Sequence, residues 1–122
     1  MLNVERLKTL REFLVKHEDR FAYSVMLSDW DHCRYGDITQ NDCGTLACVG
    51  GWALALFHPD LPLSHVFRWK EANRVLGLTD MQGYFLFWGE DMFGFPKIDL
   101  ETATLRNALD RIDYLIKEAE PC

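Results

Sequence analysis

Four residues in the first half of the chain are of types that bind metal ions or act as nucleophiles: His32, Cys33, Cys43 and Cys48. A structural zinc ion needs about four cysteine or histidine ligands, so the set is sufficient in number. The spacing is unfavourable, because Cys-x4-Cys is at the wide edge of zinc-site spacing and two adjacent ligands strain a tetrahedral site. We therefore predict no cofactor, and these four residues are the metal ligands if that prediction is wrong.

A cysteine nucleophile is the second chemistry that the stretch NDCGTLACVGGW suggests. With Asp42 or Thr45 as the N-cap, a cysteine lies in the first turn of a helix, where the helix dipole and the free amides lower the pKa of a thiol. The DCGT sequence is superficially similar to the nucleophile region of papain-like peptidases, which need a histidine, normally from a strand. No strand is predicted here. We therefore predict that the protein is not an enzyme, and a zinc-stabilised or thiol site at Cys43 and Cys48 is the alternative.

Packing is the simplest role for these cysteines. Residues 46–57 carry no charge, and a helix that is apolar on every side belongs in the centre of a fold. Cys48, Gly51, Trp52 and Ala55 share one face of that helix, and a buried cysteine packs as a small apolar residue. On this interpretation, replacing Cys43 or Cys48 by serine costs only stability, about 1–3 kcal/mol.

Helical periodicity and capping residues dominate the rest of the chain, and no segment alternates as a strand does. Asn3, Ser64, Thr79 and Asp99 are candidate N-caps, and Gly77 is a candidate C-cap. We predict an all-α fold, a compact single domain over residues 1–122 with four to six helices around the central one. The helices are expected at 4–17, 46–57, 65–76, 80–88 and 100–120, and residues 24–30 could form a further short one.

Charge and composition limit the classes of partner. The chain has 122 residues and a net charge of −6, from 13 basic and 19 acidic residues. A nucleic-acid-binding protein would show a basic stripe, so direct nucleic-acid binding is not expected, and the charge favours a protein partner with a basic surface. The chain lacks both an apolar run of membrane-spanning length and a signal-peptide pattern, so we expect no membrane insertion and a cytoplasmic location.

Two segments are candidate partner-binding surfaces. One is an acidic loop, and the other is the aromatic segment MQGYFLFWGEDMFGFP at 81–96, whose aromatic residues beside carboxylates are typical of interfaces. Met81, Tyr84, Phe87 and Trp88 fall on one helical stripe, which favours a place in the core instead. The predicted partner-binding residues are Asp29, Asp31, Asp37 and Asp42 in the loop, and Phe85, Glu90, Asp91, Phe93 and Phe95 in the aromatic segment.

The order of motifs resembles that of a family of small bacterial, phage and plasmid proteins. The matching residues are Phe21, Met26 and Trp30, the core CGT-x-x-C-x-x-GWA at 43–53, Ala72, Leu76-Gly77-Leu78-Thr79 and Leu86-Phe87. This sequence departs from the family pattern in the acidic insertion DHCRYGDITQND. The family has no settled activity, so the resemblance implies an origin in a mobile element. With the acidic charge, that origin suggests an inhibitor of a host defence complex, such as a CRISPR effector.

Overall fold

The structure is a computed structural model that describes residues 2–21, 23, 48–61 and 68–119. Within these residues the chain forms five α-helices and one 3-10 turn and no strand, which confirms the predicted all-α class. The helices are α1 (Val4–Lys16), α2 (Val49–Phe57), α3 (Arg68–Leu76), α4 (Asp80–Phe87) and α5 (Leu105–Ala119). Helix α2 packs mainly against α3, and α1 packs mainly against α5. None of the helices described here has the length and apolar character required to cross a membrane.

Helix α1 begins where its sequence predicts. The side chain of Asn3 accepts a hydrogen bond from the backbone N–H of Arg6, and this satisfies one of the free amides of the first turn. Leu7, Leu10 and Leu14 are buried on one face, as their three- and four-residue spacing predicts. The start of α1 is also tied to the end of α3, because the N–H of Asn3 donates to the carbonyl of Leu76 over 2.9 Å.

Helix α2 is the buried centre of the fold, as its uncharged sequence predicts. Every residue from 49 to 55 is buried, and Trp52 is fully enclosed. The indole N–H of Trp52 donates to the carbonyl of Arg20 over 3.0 Å, so the polar atom of this large side chain is satisfied. The guanidinium of Arg20 lies over the same indole ring, 4.9 Å from its centroid.

The start of α2 differs from the prediction. Cys48 is the N-cap with extended backbone angles, and the first helical residue is Val49. Neither Asp42 nor Thr45 therefore caps this helix, and Cys48 is not a member of its apolar face. The Cys48 side chain makes no capping hydrogen bond, so this helix start lacks the side-chain cap that the sequence suggested.

The corner between α3 and α4 follows its sequence signals closely. Gly77 has φ of 69°, and the N–H groups of Gly77 and Leu78 donate to the carbonyls of Arg74 and Asn73, which is a Schellman motif. Thr79 and Gln82 then form a reciprocal capping box at the start of α4. The end of α3 and the start of α4 are thus set by residues visible in the sequence. Ser64, the predicted cap of α3, lies outside the described residues.

Helix α5 begins later than predicted. Asp99 caps a turn rather than the helix, since its Oδ1 accepts the N–H of Glu101 at 3.1 Å. The helix starts at Leu105, and just before it the N–H of Thr104 donates to Oδ1 of Asn107. The buried face contains Leu105, Leu109, Ile112 and Leu115, but it also contains Arg111, whose side chain is 1% exposed.

Candidate protein-binding surface

Helix α4 has an exposed apolar stripe. Met81, Tyr84 and Trp88 are 59%, 40% and 45% exposed, and they follow one another along one side of the helix and its C-cap. The opposite side is buried, with Phe85 and Leu86 at 0% exposure. We name Met81, Tyr84 and Trp88 the α4 stripe. Methionine and aromatic side chains exposed in a row have the composition of a protein–protein contact.

A neighbouring aromatic residue extends this stripe onto α3. The ring of Trp69 stacks on that of Tyr84 with 5.8 Å between centroids, and Trp69 is itself half-buried. The ammonium of Lys70 lies 5.5 Å from the centroid of the Trp69 ring. Because stacked rings restrict each other's rotation, Tyr84 is held in place before any partner arrives, which reduces the entropy lost on binding.

A groove adjoins the α4 stripe at its C-terminal end. It has a volume of about 500 Å³ and is open to solvent along one side. We name it the Trp88 groove, and its lining residues are Trp88, Glu90, Lys97, Ile98, Asp99 and Leu100. One aromatic ring, two aliphatic side chains and three charged groups therefore meet in one depression, a mixture that suits an amphipathic side chain of a partner.

The segment that carries the stripe and the groove is acidic. Between residues 80 and 101 the sequence has five carboxylates and a single basic residue, Lys97. That lysine is already paired with Glu90, with 2.9 Å between Nζ and Oε1. Most of the net charge of −6 is thus concentrated in the segment that carries the exposed aromatic residues. Such a field attracts basic partners and disfavours acidic ones.

The buried guanidinium of Arg111 holds the loop that forms the groove. It donates to the carbonyls of Phe85, Glu90 and Pro96 over distances of 2.6–2.8 Å. It also lies 4.6 Å from the centroid of the Phe85 ring. Burial lowers the pKa of Arg111 below its ordinary value, and the charge persists because arginine remains protonated in proteins. The guanidinium of Arg111 therefore holds the loop after α4 in place through the carbonyls of Glu90 and Pro96.

Three predicted contact residues form an aromatic cluster around Tyr114. Phe85 is fully buried, so the prediction that it contacts a partner is wrong for this surface; its side of α4 faces α5 and the loop. Phe95 is half-buried and packs edge-on against Phe85. Phe93 is 44% exposed and stacks on Tyr114, so only part of its ring is accessible. Glu90 and Asp91 lie at the surface as expected, and Glu90 lines the Trp88 groove.

The exposed stripe was not predicted, because Met81, Tyr84 and Trp88 share one helical stripe with Phe87 and that pattern favours the core. A signal was nevertheless present. The Thr79–Gln82 capping box in the sequence indicates where α4 starts. Its neighbours then decide which side is covered: Phe85 and Leu86 are buried, whereas Tyr84 and Trp88 are exposed. Phe87 is buried, so the predicted four-residue stripe is divided between core and surface.

Most of the remaining predicted site residues lie in a part of the chain that the structure does not describe. Asp29, Asp31, Asp37 and Asp42, together with His32, Cys33 and Cys43, lie outside the described residues. Cys48 is buried at the start of α2. In the described part of the chain, no three histidine, cysteine or carboxylate side chains come together as metal ligands would.

The N-cap position of Cys48 leads to a stability prediction. A serine there can accept a hydrogen bond from the N–H of Gly50 or Gly51, and such a cap contributes about 1 kcal/mol. This gain offsets the cost of placing a hydroxyl in an apolar site. We expect Cys48→Ser to be at least as stable as Cys48→Ala in urea denaturation. A serine variant more than about 1 kcal/mol less stable than the alanine variant would contradict the capping role.

Comparisons with family models, with curated proteins and with solved structures give no match to this chain. The function of the surface is therefore inferred from its geometry and charge.

Proposed function

We propose that this protein is non-enzymatic and acts by binding another protein through the α4 stripe and its acidic surroundings. The observation that supports this most directly is the exposure of Met81, Tyr84 and Trp88 in one row beside an aromatic core. Burying three such side chains in the folded chain would have stabilised it, so their exposure is a cost that a binding partner can offset. Aromatic residues in the centre of interfaces are the commonest source of binding energy.

The proposed partner has a basic surface. Five carboxylates lie between residues 80 and 101, in the segment that carries the stripe, and their charge steers a basic protein toward it. Proteins that hold nucleic acids have such surfaces. The resemblance of the CGT-x-x-C-x-x-GWA core to phage and plasmid proteins makes a host defence complex with a nucleic-acid channel, such as a CRISPR effector, our specific proposal for the partner.

The test is a comparison of matched surface variants. The triple variant Met81→Ser, Tyr84→Ser, Trp88→Ser should lose at least about tenfold in affinity for a purified CRISPR effector that the wild-type chain binds in calorimetry. Val15→Ser is the matched control, because Val15 is a similarly exposed apolar side chain on α1, at 49%. It should bind as the wild-type chain does. Thermal melting of all three proteins checks that the fold is retained.

Salt dependence tests the charge component separately. Wild-type binding should weaken as ionic strength rises, because exposed charges are screened within about 10 Å at 0.1 M salt. Equal affinity of the triple variant and the wild-type chain would place the interface elsewhere, and the acidic loop from Asp29 to Asp42 would then be the next surface to change. If no effector in a representative panel binds the wild-type chain, the proposed partner class is wrong.

A further inference from the structure

The Trp88 groove combines the three features that recognise an arginine side chain. The exposed face of Trp88 can hold a flat cation, Ile98 and Leu100 offer an aliphatic floor, and Asp99 and Glu90 supply carboxylates. Each feature occurs on many protein surfaces by itself. Here they line one depression of about 500 Å³.

We propose that this groove binds an arginine side chain of the basic partner, and this inference rests on the proposed function. The guanidinium stacks on the indole of Trp88 and pairs with Asp99, while the methylene groups of the arginine pack on the aliphatic floor. Charge complementarity favours a cation as the bound group, because residues 80–101 contain five carboxylates and one lysine. An arginine suits it better than a lysine, because a planar guanidinium stacks and pairs at the same time.

Asp99 is positioned for this role by the loop. Its Oδ1 accepts the N–H of Glu101, which fixes the carboxylate, and the side chain remains at the surface. Asparagine at this position keeps the same turn hydrogen bond but loses the charge. Asp99→Asn therefore removes the proposed ion pair without removing the local structure.

Lys97 occupies part of the groove as an internal competitor. Its ammonium pairs with Glu90 at 2.9 Å and is 64% exposed, so this is a surface ion pair with little net stability. An arriving arginine must meet the repulsion of Lys97 or displace it from Glu90. Lys97→Ala should consequently tighten arginine binding, whereas a simple apolar contact would gain nothing from the change.

The experiment is an NMR titration of the full ¹⁵N-labelled chain with the peptide acetyl-Gly-Arg-Gly-amide. The indole N–H of Trp88, assigned with Trp88→Phe, should shift saturably. The same peptide with citrulline in place of arginine, which is neutral and of similar shape, should bind at least about fivefold more weakly. Asp99→Asn should weaken the arginine peptide by about fivefold, and Lys97→Ala should tighten it by about threefold.

Asp110→Asn is the control variant, because this exposed carboxylate on α5 pairs with Arg106 and does not line the groove. It should leave the titration unchanged. Equal binding of the citrulline peptide, no tightening by Lys97→Ala, or shifts confined to other residues would overturn the inference. Failure of the peptide titration with loss of effector binding in the triple variant would reject the arginine site alone. Arginine-peptide binding together with unchanged effector binding of the triple variant would instead reject the proposed function of the stripe.

Discussion

Replacing Arg111 with methionine should lower the free energy of unfolding by about 3–5 kcal/mol. The side chain is 1% exposed and donates to three carbonyls, those of Phe85, Glu90 and Pro96. Methionine fills a similar volume but leaves these acceptors without a donor, and each unsatisfied buried acceptor costs about 1–3 kcal/mol unless water reaches it. Urea denaturation followed by circular dichroism measures the loss.

Two further variants show whether the carbonyl contacts are the cause. Arg111→Lys keeps the charge but cannot reach all three carbonyls with one ammonium, so it should fall between wild type and Arg111→Met. Arg106→Met is the same substitution at an exposed site on the same helix. There the Nε of Arg106 lies 3.5 Å from Oδ1 of Asp110. It should cost less than about 1 kcal/mol. A small effect of Arg111→Met, comparable to that of Arg106→Met, would show that the loop does not depend on this cation.

Gly83→Ala should destabilise the chain by about 2 kcal/mol, although alanine is the better helix former by about 1 kcal/mol. Gly83 lies inside α4 where that helix crosses α3, and a β-carbon placed on it would lie 2.1 Å from Oδ1 of Asn73. Both helices must therefore separate or the amide must move. Asn73 is 4% exposed, and in the described part of the chain neither atom of its amide has a hydrogen-bond partner.

The double variant with Asn73→Ala distinguishes this steric cause from others. Without the amide, the new methyl group fits the crossing, and Gly83→Ala should then stabilise by about 0.5–1 kcal/mol through helix propensity. The coupling between the two sites is thus about 3 kcal/mol, which is large for a contacting pair. Asn73→Ala alone should change stability by less than about 1 kcal/mol, since the gain from removing an unsatisfied amide offsets the space it leaves. Additive effects in urea denaturation would show that the two residues do not meet.

Arg111→Met and Gly83→Ala also test the proposed function, because each changes what holds α4 or the loop after it in place. Arg111 supports the loop that forms the Trp88 groove, and the crossing at Gly83 sets how far α4 stands from α3. Trp69 on α3 and Tyr84 on α4 stack across that crossing, so a change in helix separation disturbs the aromatic surface directly. The geometry of the aromatic surface therefore depends on the core packing beneath it.

Several helix ends of this protein follow from its sequence alone. The Asn3 cap, the Thr79 and Gln82 capping box and the left-handed Gly77 are short-range signals, because each joins residues at most a few positions apart. The central place of α2 also followed from its lack of charge, because no side of that helix can face water. These features needed no knowledge of the neighbouring helices.

The division of the aromatic residues between core and surface, by contrast, depends on how the helices pack together. Tyr84 and Phe85 are adjacent aromatic residues in the sequence, yet Phe85 is buried and Tyr84 is exposed. The difference arises from α3, α5 and the loop held by Arg111, which cover one side of α4. The start of α5 at Leu105 also differs from the prediction, since Asp99 caps a turn instead of the helix. Long-range packing of this kind leaves no period in a single sequence.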